Sequence, residues 1–236
     1  MQKSMVVFDA LILAGGRSSR LGGVPKQSLV YQGQTLLERA VAAADGARRT
    51  VVVGDAGSLP VESGGLPAPS TRPSAVLMCR EEPQFAGPAA AIAAGLAALA
   101  RSGEGAPWCL VLACDMPLAS QAVAVLKDVL TGTDAAAGGG GVMACSGDGR
   151  AQPLAGFYST AELTKACCDL AARNALVNGS VRALLASLDV QLVTVPAGST
   201  SDVDTWDDAA ALGIAAGNQR AGQDPFMGGA NVGGKS

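Results

Sequence analysis

Apolar residues along this chain fall into two alternating patterns. Short runs that are apolar at nearly every position recur: "VVFDALIL", "TVVVG", "AVLMC", "WCLVLA", "GVMAC", "PLAGFY" and "VQLVTVP". Several are apolar on both faces, which suits strands covered by helices on either side, as in a mostly parallel sheet. Between them the apolar positions take helical spacing. Thr35 and Glu38 form a T-x-x-E capping box ahead of Leu36, Leu37, Ala40, Val41 and Ala44, which share one face. Pro88 opens a second helix, where its missing N–H costs nothing, with Ile92, Leu96 and Leu99 on the buried side. A third helix runs from about Ser120 through Val129 and a fourth starts near Thr160. Thr205 with Asp208 caps a last helix that ends near Leu212. This alternation of β and α units predicts a three-layer α/β/α sandwich with a mostly parallel sheet.

Two segments fall outside the pattern. "GDAGSLPVESGGLPAPSTRPS", from Gly54 to Ser74, has the Gly, Pro and Ser content of a surface loop, and "AAAGGGG" near 135–141 reads as loop filler. The organisation expected is one domain over 1–216 and a flexible Gly-rich tail over 217–236. Lys3 followed by "MVVFDALILAGG" has a faint likeness to a signal peptide, but Asp9 interrupts the apolar run and no A-x-A-like cleavage site follows, so a buried strand is expected there. No run approaches the ~18 apolar residues of a transmembrane helix.

Composition removes whole classes of chemistry. The chain has 236 residues, no histidine and a net charge of −3. Without histidine there is no imidazole base, Ser/His/Asp triad or imidazole metal ligand, and carboxylates, Lys and Arg must do any chemistry. The charge offers no basic footprint for nucleic acid or an anionic membrane. Cysteines at 79, 109, 114, 145, 167 and 168 form no C-x-x-C pair, so reduced, mostly buried thiols of a cytoplasmic protein are expected.

The densest chemistry lies in "LILAGGRSSRLGGVPK", Leu11 to Lys26, where a Gly-rich turn follows a predicted strand. Successive backbone N–H groups at such a turn make a nest for phosphate oxygens. The Walker A pattern fails, because no Ser or Thr follows Lys26, and the dinucleotide pattern G-x-G-x-x-G fails, because the glycines stand as pairs at 15–16 and 22–23. Asp45, near where a ribose carboxylate might sit, does not rescue a dehydrogenase reading. What the stretch resembles is L-A-G-G-x-S-x-R-[ML]-G-x-x-K, the signature loop of nucleotidyltransferases that activate a phosphorylated acceptor with an NTP. The reaction this implies is in-line attack of a phosphate oxygen on the α-phosphorus with pyrophosphate leaving. By the resemblance, Leu13, Ala14, Gly15 and Gly16 line the nucleotide, Arg20 grips the β and γ phosphates, and Lys26 the α-phosphate.

Such a reaction calls for a metal on the triphosphate, Mg²⁺ being the ion expected. "WCLVLACDMPL" ends an apolar strand at Asp115, at the carboxyl end where open α/β sheets bind ligands. Asp115 is the leading metal and nucleotide contact, since Mg²⁺ prefers one or two carboxylates plus phosphates and water. "SDVDTWDDA" supplies Asp204 as a second metal or acceptor contact, with Asp208 as a helix cap and Asp202 open.

The order of "LILAGGRSSRLGGVPK", "REEPQFAGPAAAIAAGL", "LVLACDMPL", "RAQPLAGFY" and "DVDTWDDAAAL" is similar to that of the MobA type, the molybdenum-cofactor guanylyltransferases. The resemblance spans roughly Ala10 to Leu212. It implies the Rossmann-like nucleotide-diphospho-sugar transferase type of fold, GTP and molybdopterin cofactor as substrates, and transient contact with cofactor-handling proteins. It also implies nucleotide contacts from Gly87 and from an acidic residue just upstream, Glu81 or Glu82, with Glu82 taken as the contact and Gly54 and Asp55 facing the base. Asp202 and Asp204 stand where the family carries asparagines. Arg150, Gln152 and Arg182 are acceptor-side candidates. Pro25-Lys26 replaces the Asp-Lys of many guanylyltransferases and is common in sugar-phosphate and isoprenoid-precursor enzymes. Cytidylyl transfer to the same cofactor, transfer to another small phosphate, and a non-catalytic nucleotide-binding regulator or cofactor-delivery adaptor therefore stay open.

Overall fold

The computed structural model describes residues 5–16, 19–54, 76–132 and 139–215. The expected loop from Asp55 to Ser74, most of the Ala/Gly run near 135–141 and the tail 217–236 lie outside the described residues. Seven strands form the main sheet: β1 (Phe8–Leu13), β4 (Thr50–Val53), β5 (Val76–Cys79), β6 (Trp108–Ala113), β7 (Gly141–Cys145), β8 (Ala151–Ser159) and β9 (Val190–Thr194). A two-residue hairpin, β2 (Val30–Tyr31) and β3 (Gln34–Thr35), stands apart. The order in the main sheet is β5-β4-β1-β6-β8-β7-β9. All neighbours run parallel except β8, which is antiparallel to both β6 and β7. The sandwich and its mostly parallel sheet are as expected from the alternating pattern.

The continuous apolar runs are explained by two-sided burial. Phe8, Ala10 and Ile12 of β1 join one core with α1 (Leu36–Ala43) and α3 (Ala119–Gly132). Leu11 and Leu13 point the other way, into a core with α2 (Pro88–Arg101), α4 (Thr160–Ala172) and α5 (Val181–Leu185). Alternate residues of one strand thus serve opposite faces, as the two-residue period requires. Gly95 lets α2 settle onto the sheet, since a Cβ there would lie 2.8 Å from Leu11 Cδ2. The Thr35/Glu38 capping box forms in full, with Glu38 N–H donating to Thr35 Oγ1 and Thr35 N–H to the Glu38 carboxylate. Thr205 and Asp208 form the second box ahead of α6 (Trp206–Ala211). The six cysteines are free thiols, with Cys168 exposed and Cys79 half-buried.

Asp9, which interrupts the first apolar run, is fully buried. Its carboxylate accepts from Arg49 Nη2 at 2.6 Å, Arg49 Nε at 3.2 Å and the Ala106 N–H at 2.9 Å. Arg49 also donates to the carbonyls of Leu99, Gly103 and Glu104, and the ion pair holds its guanidinium above its ordinary pKa. This buried network ties the amino end of β1 to the turn between α2 and β6, and it was not foreseen from the sequence.

A third, smaller core prepares the functional site. Leu21, Leu29, Leu36, Val203, Ala209 and Ile214 bury together, and Val30 and Ala215 exchange backbone hydrogen bonds. Each fully buried leucine contributes about 1.5–3 kcal/mol. That is sufficient to pin the segment after the glycine loop against a part of the chain some 180 residues later.

Candidate active site

β1 lies between β4 and β6, so the chain leaves the sheet in opposite directions on either side of it. A crevice must open at the carboxyl ends of β1 and β6. Into it project Gly15 and Gly16, directly after β1, and Cys114 and Asp115, directly after β6, with the Cys114 N–H donating to Leu13 O. The crevice holds a cavity of about 380 Å³ whose lining includes Leu13, Ala14, Gly15, Gly16, Lys26 and Asp115. An adjoining cavity of about 250 Å³ lies toward Gly54, Arg80 and Glu81.

Lys26 begins a single 3-10 turn, Lys26–Ser28, and reaches into the crevice. Its ammonium donates to Asp115 Oδ2 at 2.9 Å and to Asp204 Oδ1. Burial disfavours its charge, but the two carboxylates outweigh that cost and raise its pKa above the ordinary lysine value. It therefore stays protonated through the neutral range. Asp204 is brought here by a main-chain bond: the Val203 N–H donates to the Asp115 carbonyl at 3.0 Å, and Val203 is fully buried in the third core. Asp208 caps α6 and also accepts from the Asp204 N–H at 3.1 Å. Arg20 stands at the rim, largely exposed, with Nη1 3.8 Å from Asp204 Oδ2.

Gly54 directly follows β4 with φ +134°, and a Cβ there would lie 2.6 Å from the Gly15 nitrogen. Only glycine permits β4 to lie this close to the loop. The main cavity is thus bordered by bare loop backbone, the Lys26 ammonium and the carboxylates of Glu81 and Asp115, with Asp204 paired to Lys26 and Arg20 beside Asp204.

Residues 10–195 match the MobA-like NTP transferase domain. The chain belongs to that family. A curated relative, the molybdenum cofactor guanylyltransferase of Acidiphilium cryptum (strain JF-5), is 34% identical over 115 residues. That match covers 49% of this chain and 54% of the relative, so it spans about half the length of each. Two solved structures share the fold. Molybdopterin-guanine dinucleotide biosynthesis protein A of Archaeoglobus fulgidus superposes with a TM-score of 0.58 at 19% identity, covering 87% of this chain and 96% of its own. The 2-C-methyl-D-erythritol 4-phosphate cytidylyltransferase of Thermus thermophilus gives 0.56 at 21%, covering 88% and 97%.

In this MobA-like domain the expected loop residues Leu13, Ala14, Gly15 and Gly16, together with Lys26, Gly87 and Asp115, surround the main cavity, and Gly54 lines the adjoining one. Asp204 is joined to them through Lys26. Asp55 lies outside the described residues. Glu82, expected as the acidic contact, is exposed and lines neither cavity. Glu81, the alternative, is buried and lines both cavities. Asp202 is exposed, and neither Arg150 nor Gln152 lines the crevice; Leu154 of β8 does so instead. Arg182 borders a separate apolar hollow with Met143, Pro153 and Leu192. The sequence reading missed Gln27 and Phe85, which line both cavities; adjacency to Lys26 was the available signal for Gln27.

Proposed function

We propose that this chain transfers a nucleoside monophosphate, GMP from GTP, to the phosphate of molybdopterin cofactor and releases pyrophosphate. The observation that carries this reading is the Lys26 ammonium held between Asp115 and Asp204 beside the bare Gly15–Gly16 backbone. Support for the acceptor comes from the half-length guanylyltransferase relative. Guanine is supported by Glu81, a buried group with acceptor capacity suited to the N–H edge of that base.

An acceptor phosphate oxygen attacks the α-phosphorus as the bond to the bridging β-phosphate oxygen breaks, and the electron pair leaves with pyrophosphate. The attacking phosphate is already ionised, so no general base is needed, in keeping with a chain that lacks histidine. Loop N–H groups and Lys26 stabilise charge on the transferred group, and Arg20 reaches from the rim toward the leaving pyrophosphate. Asp115 and Asp204 would hold a divalent metal, Mg²⁺ best matching their hard oxygen donors. No group of three or more His, Cys, Asp or Glu that could hold a metal occurs among the described residues, so the remaining positions would go to phosphates and water. A metal held there would supply neutralisation of triphosphate charge. Among the described residues no helix is long and apolar enough to cross a membrane, and the free thiols accord with a cytoplasmic site of action.

The test is pyrophosphate release with Mg²⁺ and molybdopterin cofactor, comparing GTP, CTP, ATP and UTP with acceptor-free controls. Turnover confined to GTP is expected. Turnover confined to CTP would move the assignment to cytidylyl transfer, and release with none of the four would overturn it. Lys26→Ala is expected to lower kcat by about 10²-fold or more while weakening NTP binding much less, because its charge matters most as the transferred group becomes more negative. Equal losses in kcat and in binding affinity would contradict that role.

A further inference from the structure

Asp115 and Asp204, the carboxylates that would hold a divalent metal, already face cations of the chain itself. The Lys26 ammonium donates to Asp115 Oδ2 at 2.9 Å and also to Asp204 Oδ1, and Arg20 Nη1 lies 3.8 Å from Asp204 Oδ2. Two cations thus meet two carboxylates, and the cluster is electrically balanced by side chains alone. One nitrogen within hydrogen-bond reach of both carboxylates stands where a metal shared by them would stand, since Mg²⁺ takes its oxygens at about 2.0–2.1 Å. Lys26 and Asp115 are mostly buried, so water screens little of the repulsion between an ammonium and a divalent ion placed side by side. The ammonium and a shared metal are therefore alternatives at these two carboxylates.

The main chain on either side of Lys26 is fixed, with Leu21 before it and Leu29 after it buried in the small third core. Exchange is accordingly a swing of the flexible four-carbon stem and not of the loop. Its destination lies within the same cavity, which Lys26 shares with the bare Gly15 and Gly16 backbone. We propose that Lys26 is the resident counter-ion of the metal position in the nucleotide-free chain, and that a polyphosphate seated at Gly15–Gly16 draws it off and so admits the metal. This rests on the nucleotidyl-transfer reading and deepens it. Metal then arrives with the nucleotide and not ahead of it, and the two carboxylates are at no stage left facing each other uncompensated. Arg20, more exposed and farther from Asp204, has the smaller share.

The experiment titrates the nucleotide-free full chain with Mn²⁺, a paramagnetic stand-in for Mg²⁺, with free ion read by electron paramagnetic resonance. Wild type is compared with Lys26→Met, Lys26→Arg and the double variant Lys26→Met with Asp115→Asn, and melting temperatures are recorded with and without the ion. Wild type should bind weakly. Lys26→Met should bind about 5- to 150-fold more tightly, the usual range of coupling between two ligands of one protein, and show the larger rise in melting temperature with Mn²⁺. Lys26→Arg keeps a cation at this place and should stay within a few-fold of wild type, and the double variant should lose the gain. Equal affinity in wild type and Lys26→Met would overturn the proposal while leaving the transferase reading intact. A gain that survives Asp115→Asn would overturn it too, by showing a diffuse effect of removing one charge. Preformed Mn²⁺–GTP should bind wild type tightly; a folded wild type that holds Mn²⁺ neither alone nor with GTP would sink the proposal and the metal assignment together.

Discussion

Asp115→Ala is expected to cut Mg²⁺-dependent pyrophosphate release by about 10²- to 10³-fold or more while the protein remains folded. The carboxylate follows β6 at the crevice, pairs with Lys26 and is one of the two groups proposed above to hold a metal. Its removal takes away a fixed charge where charge develops during transfer. The fold should survive because the structural task of this position is done by its main chain: the Asp115 carbonyl receives the Val203 N–H, a bond that alanine keeps. Steady-state kinetics across a Mg²⁺ titration, beside a thermal melt, separates the outcomes. Turnover within a few-fold of wild type would remove Asp115 from the metal site, and a collapsed melting temperature would make its role structural. Asp204, more exposed than Asp115 and reached through the same lysine, should show the smaller loss when changed to alanine.

The largest stability effect is expected far from that chemistry. Asp9→Ala should destabilise the fold by about 3–5 kcal/mol, the usual cost of stranding one member of a buried ion pair. For a chain of this length, that lowers the melting temperature by roughly 6–20 °C. Asp9 is fully buried and the Arg49 side chain nearly so, and three hydrogen bonds converge on the carboxylate. The double variant Asp9→Ala with Arg49→Ala should lose less than the sum of the two single variants, because the second change removes the uncompensated charge. Because the pair lies at the amino end of β1 and the glycine loop at its carboxyl end, nucleotide affinity of the folded fraction should not change. Additive losses in the double variant would show that the two side chains act independently.

Much of the architecture was legible because it depends on local pattern. Two-sided apolar runs marked the strands, and Thr35/Glu38, Pro88 and Thr205/Asp208 marked helix starts that the structure reproduces. Part of the site was legible for a related reason. Gly15, Gly16 and Lys26 sit in one short loop, and Asp115 sits at the end of an apolar strand, so their places follow from adjacent sequence. Between Glu81 and Glu82 the sequence offered no distinction, because adjacent acidic residues of one turn differ only in burial, which the packing of that turn against the crevice decides.

The sequence by itself determined the alternation of strands and helices, the bare glycine backbone of the first loop, and the exclusion of imidazole chemistry, all of which follow from residue type and short-range spacing. Tertiary structure decided the rest. Asp9 meets Arg49 across 40 positions, and Lys26 meets Asp204 across 178. Phe85 is exposed at a junction of two cavities instead of buried in a core. Such pairings depend on how the sheet orders its strands and on the small core of Leu21, Leu29, Leu36, Val203, Ala209 and Ile214 that joins two segments far apart in sequence. Periodicity reports which face of an element is apolar, but it carries no record of which distant polar group that element will meet once the apolar faces are buried.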